Sequence, residues 1–351
     1  MEPFEQVTQL VRQGLEQGAY PAAALAIGIG ETVFVRQSFG SCTCETLFDM
    51  ASVSKIIGPT MIAFRFLEEG LIRLYDPVSL FFPDAPKDKR DITILQLMTH
   101  NSGISDHFFL SDHTDDPAQA AQVILNYPLE YTPGEGPSYS CMGYILLGKI
   151  LEKVGGAPLD VLAQRCVFSP LGLCHTTYHP TGDIAPTELD PQTGRLLQGV
   201  VHDENARFLG GISGNAGIFS DLDDMARFTQ MLALGGRLPD GTRCLSPAML
   251  RAALINRTPA SRGEYRGLGF NLAGSPKNFL GDLMSPRAYG HTGFTGTSLA
   301  VDPDTGLWLV LLTNRVCPTR QNEKLVRMRS LIHNAAAAQA SCLADSSSQE
   351  K

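Results

Sequence analysis

The chain has 351 residues, of which 43% are hydrophobic and 18% charged, and its formal net charge is −8. This length allows a large core and two subdomains, and the composition is that of a folded globular protein. An acidic chain without a Lys/Arg block argues against nucleic acid or an anionic membrane as a partner.

The first 40 residues predict a short helix and a β-hairpin. Apolar residues recur at helical spacing over residues 5–17. Two apolar runs, at residues 22–30 and 33–40, flank a short polar break and are typical of a hairpin.

The next segment predicts a long buried helix. Residues 52–71 are apolar almost all round, as expected of a helix inside a core. Pro59 lies within this run, and its missing N–H leaves the Lys55 carbonyl without its usual partner. We therefore expect a kink at that point.

The middle of the chain is mainly helical. Further helices are predicted at residues 92–98, 118–125, 143–153 and 159–166, with a mobile polar loop at 105–117. Residues 180–200 form a Pro- and Gly-rich loop in which 187–189 and 196–200 are candidate strands. A Gly-rich strand or turn follows at 210–220, and Asp221 then caps a helix that ends at Leu234.

The last third of the chain returns to strands. These are predicted at residues 268–272, 296–301 and 307–313, the last two joined by a tight turn at 302–306. A helix at 321–338 and a disordered polar tail at 341–351 complete the chain.

This order predicts an α/β (α+β) fold, in which an antiparallel sheet is built from both chain ends and flanked by helices. We expect one domain at residues 1–340. Its α/β subdomain comprises residues 1–58 and 207–340, and its helical subdomain comprises residues 59–206.

The N-terminal residues and the lengths of the apolar segments indicate a cytoplasmic protein. Residues 1–7 carry acid where a signal peptide needs base, and no apolar segment is long enough to span a bilayer. The eight cysteines contain no C-x-x-C pair, so we expect mostly free thiols in a reducing compartment.

The strongest chemical signal begins at Ser52. Lys55 follows three residues later, which on a helix places its ammonium on the same face as the Ser52 hydroxyl. A serine hydroxyl attacks a carbonyl only when a neighbouring group takes its proton. An S-x-x-K tetrapeptide is common by chance, so its meaning depends on the rest of the chain.

Two further triplets complete a pattern. Tyr139-Ser140-Cys141 and His291-Thr292-Gly293 follow S-x-x-K in an order that resembles the serine β-lactamase and penicillin-binding-protein family, in its class C-like branch with esterases and D-aminopeptidases. The segments at residues 97–103, 131–134, 201–220 and 312–316 also resemble that family. The resemblance covers roughly residues 20–335.

The resemblance implies a set of catalytic roles. Ser52 would attack a carbonyl and become the acyl-enzyme. Lys55 and Tyr139 would share its activation, each with a pKa lowered by the other and by desolvation, and Tyr139 would protonate the leaving group. His291 would relay a proton if neutral, or hold a carboxylate if charged.

The resemblance also implies which groups bind the substrate. The backbone N–H groups of Ser52 and Phe294 would form an oxyanion hole, and Thr292 and Gly293 would lie on a strand that pairs with an extended substrate. Cys141 stands where the family has Asn or Asp, and a thiol is a weak hydrogen-bonding group. This departure disfavours β-lactam or D-Ala-D-Ala processing more than it disfavours ester hydrolysis.

Several histidines have alternative interpretations. His202 lies in a loop at the rim of the implied site, where it is either functional or structural, and Asp203 is a candidate to orient it. His100 is expected to be structural. His107, His113, His175 and His179 fall in loop-like sequence without an H-E-x-x-H pattern, so neither a metal nor any other cofactor is predicted.

Two classes of function remain open. The first is a serine hydrolase that cleaves an amide or ester through a Ser52 acyl-enzyme, as an esterase, a D-aminopeptidase or carboxypeptidase, or a cytoplasmic muropeptide amidase of cell-wall recycling. The second is a non-catalytic module that binds a peptide or muropeptide. Both imply a small-molecule or short-peptide ligand, and neither indicates an oligomeric state.

Overall fold

The structure is a computed structural model and describes residues 3–106, 108–258, 263–275 and 278–349. The α-helices of this part of the chain are α1 (Glu5–Glu16), α2 (Met61–Glu68), α3 (Val78–Phe81), α4 (Ile94–Met98), α5 (Ala120–Asn126), α6 (Cys141–Gly155), α7 (Leu159–Ala163), α8 (Ser169–Leu171), α9 (Glu204–Phe208), α10 (Leu222–Ala233), α11 (Pro247–Ala253) and α12 (Lys324–Gln349). The strands are β1 (Ala22–Ile29), β2 (Thr32–Gly40), β3 (Phe48–Asp49), β4 (Phe219–Ser220), β5 (Asn271–Leu272), β6 (Tyr289–Thr292), β7 (Ser298–Asp302) and β8 (Leu307–Thr313). Short 3₁₀ or π turns lie at Ala51–Val53, Ile56–Thr60, Leu110–Asp112, Pro117–Gln119 and Gln164–Phe168.

Six strands form one antiparallel sheet in the order β2-β1-β8-β7-β6-β5. The first two strands come from the N-terminal end of the chain and the others from its last third, which confirms the predicted sheet and hairpin. β3 and β4 pair separately, at the two ends of the helical block.

The central strand β8 is buried on both faces. Its odd-numbered leucines, Leu307, Leu309 and Leu311, pack with α1 and α12 on one side. Trp308 and Val310 face the larger core, which includes α10 and the helical block. Successive side chains of a strand point to opposite faces, so burial on both sides explains the continuous apolar run.

The pairing of β8 with the hairpin depends on one close contact. A Cβ atom at Gly28 would lie 2.2 Å from the indole of Trp308, so only glycine fits there. The indole Nε1 donates to the Gly30 carbonyl at 3.0 Å. The largest buried side chain of the protein therefore locks β8 onto the β1–β2 turn.

The predicted helix at residues 52–71 is the main correction in local structure. Ser52 lies in a 3₁₀ turn at Ala51–Val53, and a π turn at Ile56–Thr60 contains Pro59. The α-helical part is Met61–Glu68. A π turn absorbs one extra residue, which accommodates the proline ring and its missing N–H.

The C-terminal helix is longer than expected. α12 extends to Gln349, past the predicted end at residue 338, so residues 341–349 are helical where a disordered tail was expected. Residues 350–351 lie outside the described part, as does His107.

Other boundaries shift only locally. The predicted strands at 187–189 and 196–200 reduce to a single bridge between Leu189 and Leu196. The Asp221 cap is confirmed, since its carboxylate accepts from the Asp224 N–H at 2.9 Å. The subdomain boundaries stay predictions. None of the helices among the described residues is both long and apolar enough to cross a membrane.

We expect Trp308→Ala to destabilise the protein by about 3–5 kcal/mol, because it leaves a large cavity and removes the bond to Gly30. Urea denaturation followed by circular dichroism measures the change. Leu80→Ala is the matched control, because Leu80 is 61% exposed and its truncation should change the free energy of unfolding by less than about 0.5 kcal/mol. Equal effects of the two substitutions would contradict the proposed role of Trp308.

Candidate active site

Ser52 and Lys55 are in direct contact. The Lys55 Nζ donates to the Ser52 Oγ at 3.0 Å and to the Asn215 backbone carbonyl at 2.9 Å, and it lies 3.5 Å from the Cys141 Sγ. The Lys55 side chain is fully buried, whereas Ser52 remains partly exposed. The expected contact across one turn is therefore present, although the turn is not α-helical.

Tyr139 packs beside this pair. Its ring centroid lies 4.9 Å from the Lys55 Nζ and 4.4 Å from the His100 ring. The Tyr139 hydroxyl is buried and makes no hydrogen bond of ordinary geometry within the described residues, although it is close enough to interact with both Lys55 and Ser52. His100 accepts from the Ser140 N–H at 3.0 Å and thus supports the Tyr139 segment, consistent with the structural role expected of it.

The third motif lies beside the Ser52 turn. Thr295 and Thr297 donate from their hydroxyls to the carbonyls of Asp49 and Met50, at 2.7 and 3.0 Å. A Cβ atom at Gly293 would lie 2.5 Å from the Met50 carbonyl, so glycine is required for this approach. The motif glycine therefore allows the end of β6 to approach the Ser52 turn.

Asp49 connects three segments around Ser52. Its two carboxylate oxygens accept from the N–H groups of Ala51 and His202, at 2.8 and 2.7 Å. Ala51 has φ of 45°, a left-handed conformation that is rare for a residue with a side chain. The Asp49 carboxylate therefore holds a strained residue next to Ser52, and such strain is typical of functional sites.

His202 is buried at the rim of the site, and Glu188 rather than Asp203 holds its ring. The His202 Nε2 lies 3.0 Å from the Glu188 carboxylate, whereas Asp203 caps α9 by accepting from the Ala206 N–H. The His202 ring also packs on Phe294, with centroids 5.7 Å apart. The expectation for Asp203 fails because its carboxylate is already used by a helix start.

The charges at the centre differ from the sequence expectation. Burial by itself would lower the pKa of the Lys55 ammonium, but the negative charge that Cys141 and Tyr139 carry when deprotonated, together with the Asp203 carboxylate, raises that pKa above its ordinary value. Burial raises the pKa of the Tyr139 phenol, against the opposing effect of Lys55. The expectation that both pKa values are lowered was therefore wrong. The upward shifts favour the ammonium form of Lys55 and the neutral phenol form of Tyr139.

His291 is neutral at physiological pH. Burial, with help from the nearby Arg266 and Lys55 cations, lowers the pKa of His291 to about 3. Its Nδ1 lies 2.8 Å from the Thr292 carbonyl, which assigns the proton to Nδ1 and leaves Nε2 buried without a partner in the described part of the chain. Of the two roles foreseen, the neutral one fits.

A metal is not needed to explain the one His/Asp cluster found among the described residues. The ligand atoms of His175, Asp221 and Asp224 lie within 4.8 Å of one another. However, Asp224 accepts hydrogen bonds from the three backbone N–H groups of residues 174–176, and Asp221 caps α10. These bonds assign the cluster to the start of that helix.

Sequence reasoning missed four residues of this site: Asp49, Glu188, Asn215 and Arg266. Asp49 carried a signal, since an acid inside an apolar segment is rarely buried without a specific partner. Arg266 places its guanidinium carbon 5.3 Å from the Tyr139 ring centroid and pairs with Glu264 at 2.9 Å. No short motif marks Glu188, Asn215 or Arg266, because only the fold brings them to the centre.

Together, a buried lysine on a serine hydroxyl, an adjacent tyrosine and a strand end beside them are the site of a serine hydrolase. The family model described as Beta-lactamase matches residues 7–331. The chain therefore belongs to the beta-lactamase family, as its three motifs indicated.

Curated relatives align over most of the chain. A protein of Escherichia coli K12 named "Putative D-alanyl-D-alanine carboxypeptidase" is 30% identical over 90% of this chain and 83% of its own length. The N-acetylmuramyl-L-alanine amidase of Bacillus subtilis is 29% identical over 89% of this chain and 81% of its own length.

A solved structure confirms the fold. EstCE1, described as a hydrolase with promiscuous acyltransferase activity, superimposes with a TM-score of 0.78 at 22% identity, covering 96% of this chain and 98% of its own. At this identity the likeness shows the architecture alone.

We expect the rate of Ser52 acylation by a small ester to rise with pH. The deprotonated form of Lys55 or Tyr139 must accept the serine proton, and the pKa values of both lie above their ordinary values near 10. The second-order rate should therefore increase about 10-fold per pH unit up to about pH 10. Stopped-flow assays at graded pH measure it, with samples returned to pH 7 to check that the enzyme stays intact. A plateau below about pH 8 would contradict a protonated resting lysine.

Proposed function

We propose that this enzyme hydrolyses an amide or ester bond through an acyl-enzyme on Ser52. The observation that carries the proposal is the Lys55 ammonium, fully buried and 3.0 Å from the Ser52 hydroxyl. A buried charge requires specific stabilisation, and a serine that contacts it beside a phenol is arranged for proton transfer. The same contact favours a catalytic role over a purely binding one.

In the proposed first step, the Ser52 Oγ attacks the carbonyl carbon as its proton passes to Lys55 or Tyr139 in their minor deprotonated forms. The carbonyl oxygen gains the negative charge and is stabilised by the N–H groups of Ser52 and Phe294. The leaving group then takes a proton from Tyr139 and departs. Water attacks the acyl-enzyme by the reverse of these transfers and frees Ser52.

The sheet edge supports an extended substrate. β5 pairs only with Tyr289 and Gly290, whereas His291 and Thr292 pair with β7 on their other side. Within the described residues, the outer edge of β6 is therefore left without a strand partner next to Ser52. We propose that the substrate backbone adds there as a short strand.

For the substrate, we propose the amide bond of a short peptide or muropeptide. An amine leaves only after protonation, and a neutral buried Tyr139 is a suitable acid. The names of the Escherichia coli and Bacillus subtilis relatives support this class. Ester hydrolysis is the second candidate, favoured by Cys141, whose thiol orients an amide less firmly than an asparagine.

We further propose that the enzyme works in the cytoplasm. All eight cysteines are free thiols, the state that a reducing compartment maintains. Cell fractionation with an antibody to the chain tests this, and recovery in an extracytoplasmic fraction would contradict it.

Ser52→Ala should abolish covalent labelling by a fluorophosphonate or a fluorescent penicillin, because the nucleophilic oxygen is lost. Gel fluorescence and intact mass measure the label, and peptide mapping places it on Ser52. Ser41→Ala, a change at an exposed serine outside the site, should label like the wild type. An unlabelled wild type, or label retained in Ser52→Ala, would defeat the proposed function.

A hydrolysis panel then separates the substrate classes. It contains p-nitrophenyl esters, nitrocefin, D-Ala peptides and N-acetylmuramyl-L-alanine, each assayed against Ser52→Ala. We expect turnover of the peptide or muramyl amides and slow turnover of nitrocefin. Turnover of esters alone would select the second candidate, and rapid nitrocefin turnover would contradict the role assigned to Cys141.

A further inference from the structure

The segment at residues 213–217 forms the wall behind Lys55. Gly214 packs so tightly on α6 that an added Cβ atom would lie 2.0 Å from the Tyr144 carbonyl. This contact holds the next residue, Asn215, which is fully buried, against the first turn of α6. Cys141 is the first residue of that helix.

Asn215 contacts the catalytic centre with both its backbone and its side chain. Its backbone carbonyl accepts from the Lys55 Nζ at 2.9 Å. Its side-chain Oδ1 accepts from the Ser213 hydroxyl at 2.7 Å, which fixes the plane of the carboxamide. Its Nδ2 is buried, has no hydrogen-bond partner of ordinary geometry in the described part of the chain, and lies close enough to Cys141 to influence that thiol.

An unpartnered carboxamide N–H group at such a place is unusual. Buried polar groups are nearly always hydrogen-bonded, and exceptions in folded proteins call for an explanation. Here the nearest unusual feature is position 141, whose sulfur lies 3.5 Å from the Lys55 Nζ. A thiol holds an ammonium only weakly, so Lys55 depends on other groups for its orientation toward Ser52.

We infer that Asn215 is a positioning residue for Lys55, and that its carboxamide and the Cys141 thiol together fill the space that an asparagine side chain at position 141 would fill alone. The inference rests on the proposed acylation of Ser52. The carboxamide acts through Lys55 and Cys141, since its own atoms are shielded from solvent.

This inference predicts compensation between two positions that are far apart in sequence. Asn215→Leu keeps the side-chain volume and removes the amide, so the maximal rate of Ser52 labelling should fall by about 10-fold or more, with little change in the concentration for half-saturation. Adding Cys141→Asn to this variant supplies a carboxamide from the opposite side. The double variant should regain a rate within about 3-fold of wild type.

The assay is fluorophosphonate labelling in single turnover, normalised to the fraction of enzyme that labels at completion. Asn314→Leu is the matched control: Asn314 is also buried, but it bonds to the Ala22 N–H and the Pro186 carbonyl, away from Lys55. It should lower the melting temperature and leave the normalised rate unchanged.

A labelling rate that is unchanged in Asn215→Leu, or a loss that Cys141→Asn does not reverse, overturns the inference while leaving the proposed function intact. Absence of label in the wild type defeats the proposed function instead. If Asn215→Leu does not fold, Ser213→Ala replaces it. That change removes the hydroxyl that holds the Asn215 Oδ1 and leaves Asn215 itself unaltered. A slower rate that Cys141→Asn again restores then supports the inference, and an unchanged rate contradicts it.

Discussion

The structure depends on one buried charge, the ammonium of Lys55. An ammonium removed from water is costly unless its donors are satisfied, and here they reach a hydroxyl, a backbone carbonyl and a sulfur rather than a carboxylate. The rings of Tyr139 and Tyr144 add their faces, at 4.9 and 5.8 Å. Because these groups come from separate segments, the charge is stable only when the whole fold has closed around it.

A buried carboxyl group, that of Asp49, connects the segments on the outer side of the same turn. The Asp49 carboxylate links the Ser52 turn to the His202 loop, and the Asp49 carbonyl accepts from the Thr295 hydroxyl. His202 is held in turn by Glu188, whose carboxylate also accepts from the backbone and side chain of Arg320. The Ser52 turn, the rim loop and the strand end beside Phe294 are therefore joined by one set of hydrogen bonds.

The backbone around Ser52 shows how tertiary packing modifies local preference. The apolar pattern predicted a buried helix with a kink at Pro59, and most of residues 52–67 are indeed buried. However, the segment consists of three pieces: a 3₁₀ turn at Ala51–Val53, a π turn at Ile56–Thr60 and an α-helix at Met61–Glu68. As a result, the partly exposed Ser52 hydroxyl lies beside a fully buried lysine. Two residues on the same face of a uniform helix would differ less in exposure.

The sequence by itself determined the family, the sheet built from both chain ends, and the pairing of Ser52 with Lys55. These follow from short-range spacing, hydrophobic periodicity and motif order, all of which are visible in the sequence without the fold. Only the tertiary structure decided the directions in which the pKa values of Lys55, Tyr139 and His291 shift, and the contacts of Asp49, Glu188, Asn215 and Arg266 with the site. Burial and the positions of neighbouring charges set pKa values, and residues far apart in sequence become neighbours only when the chain has folded.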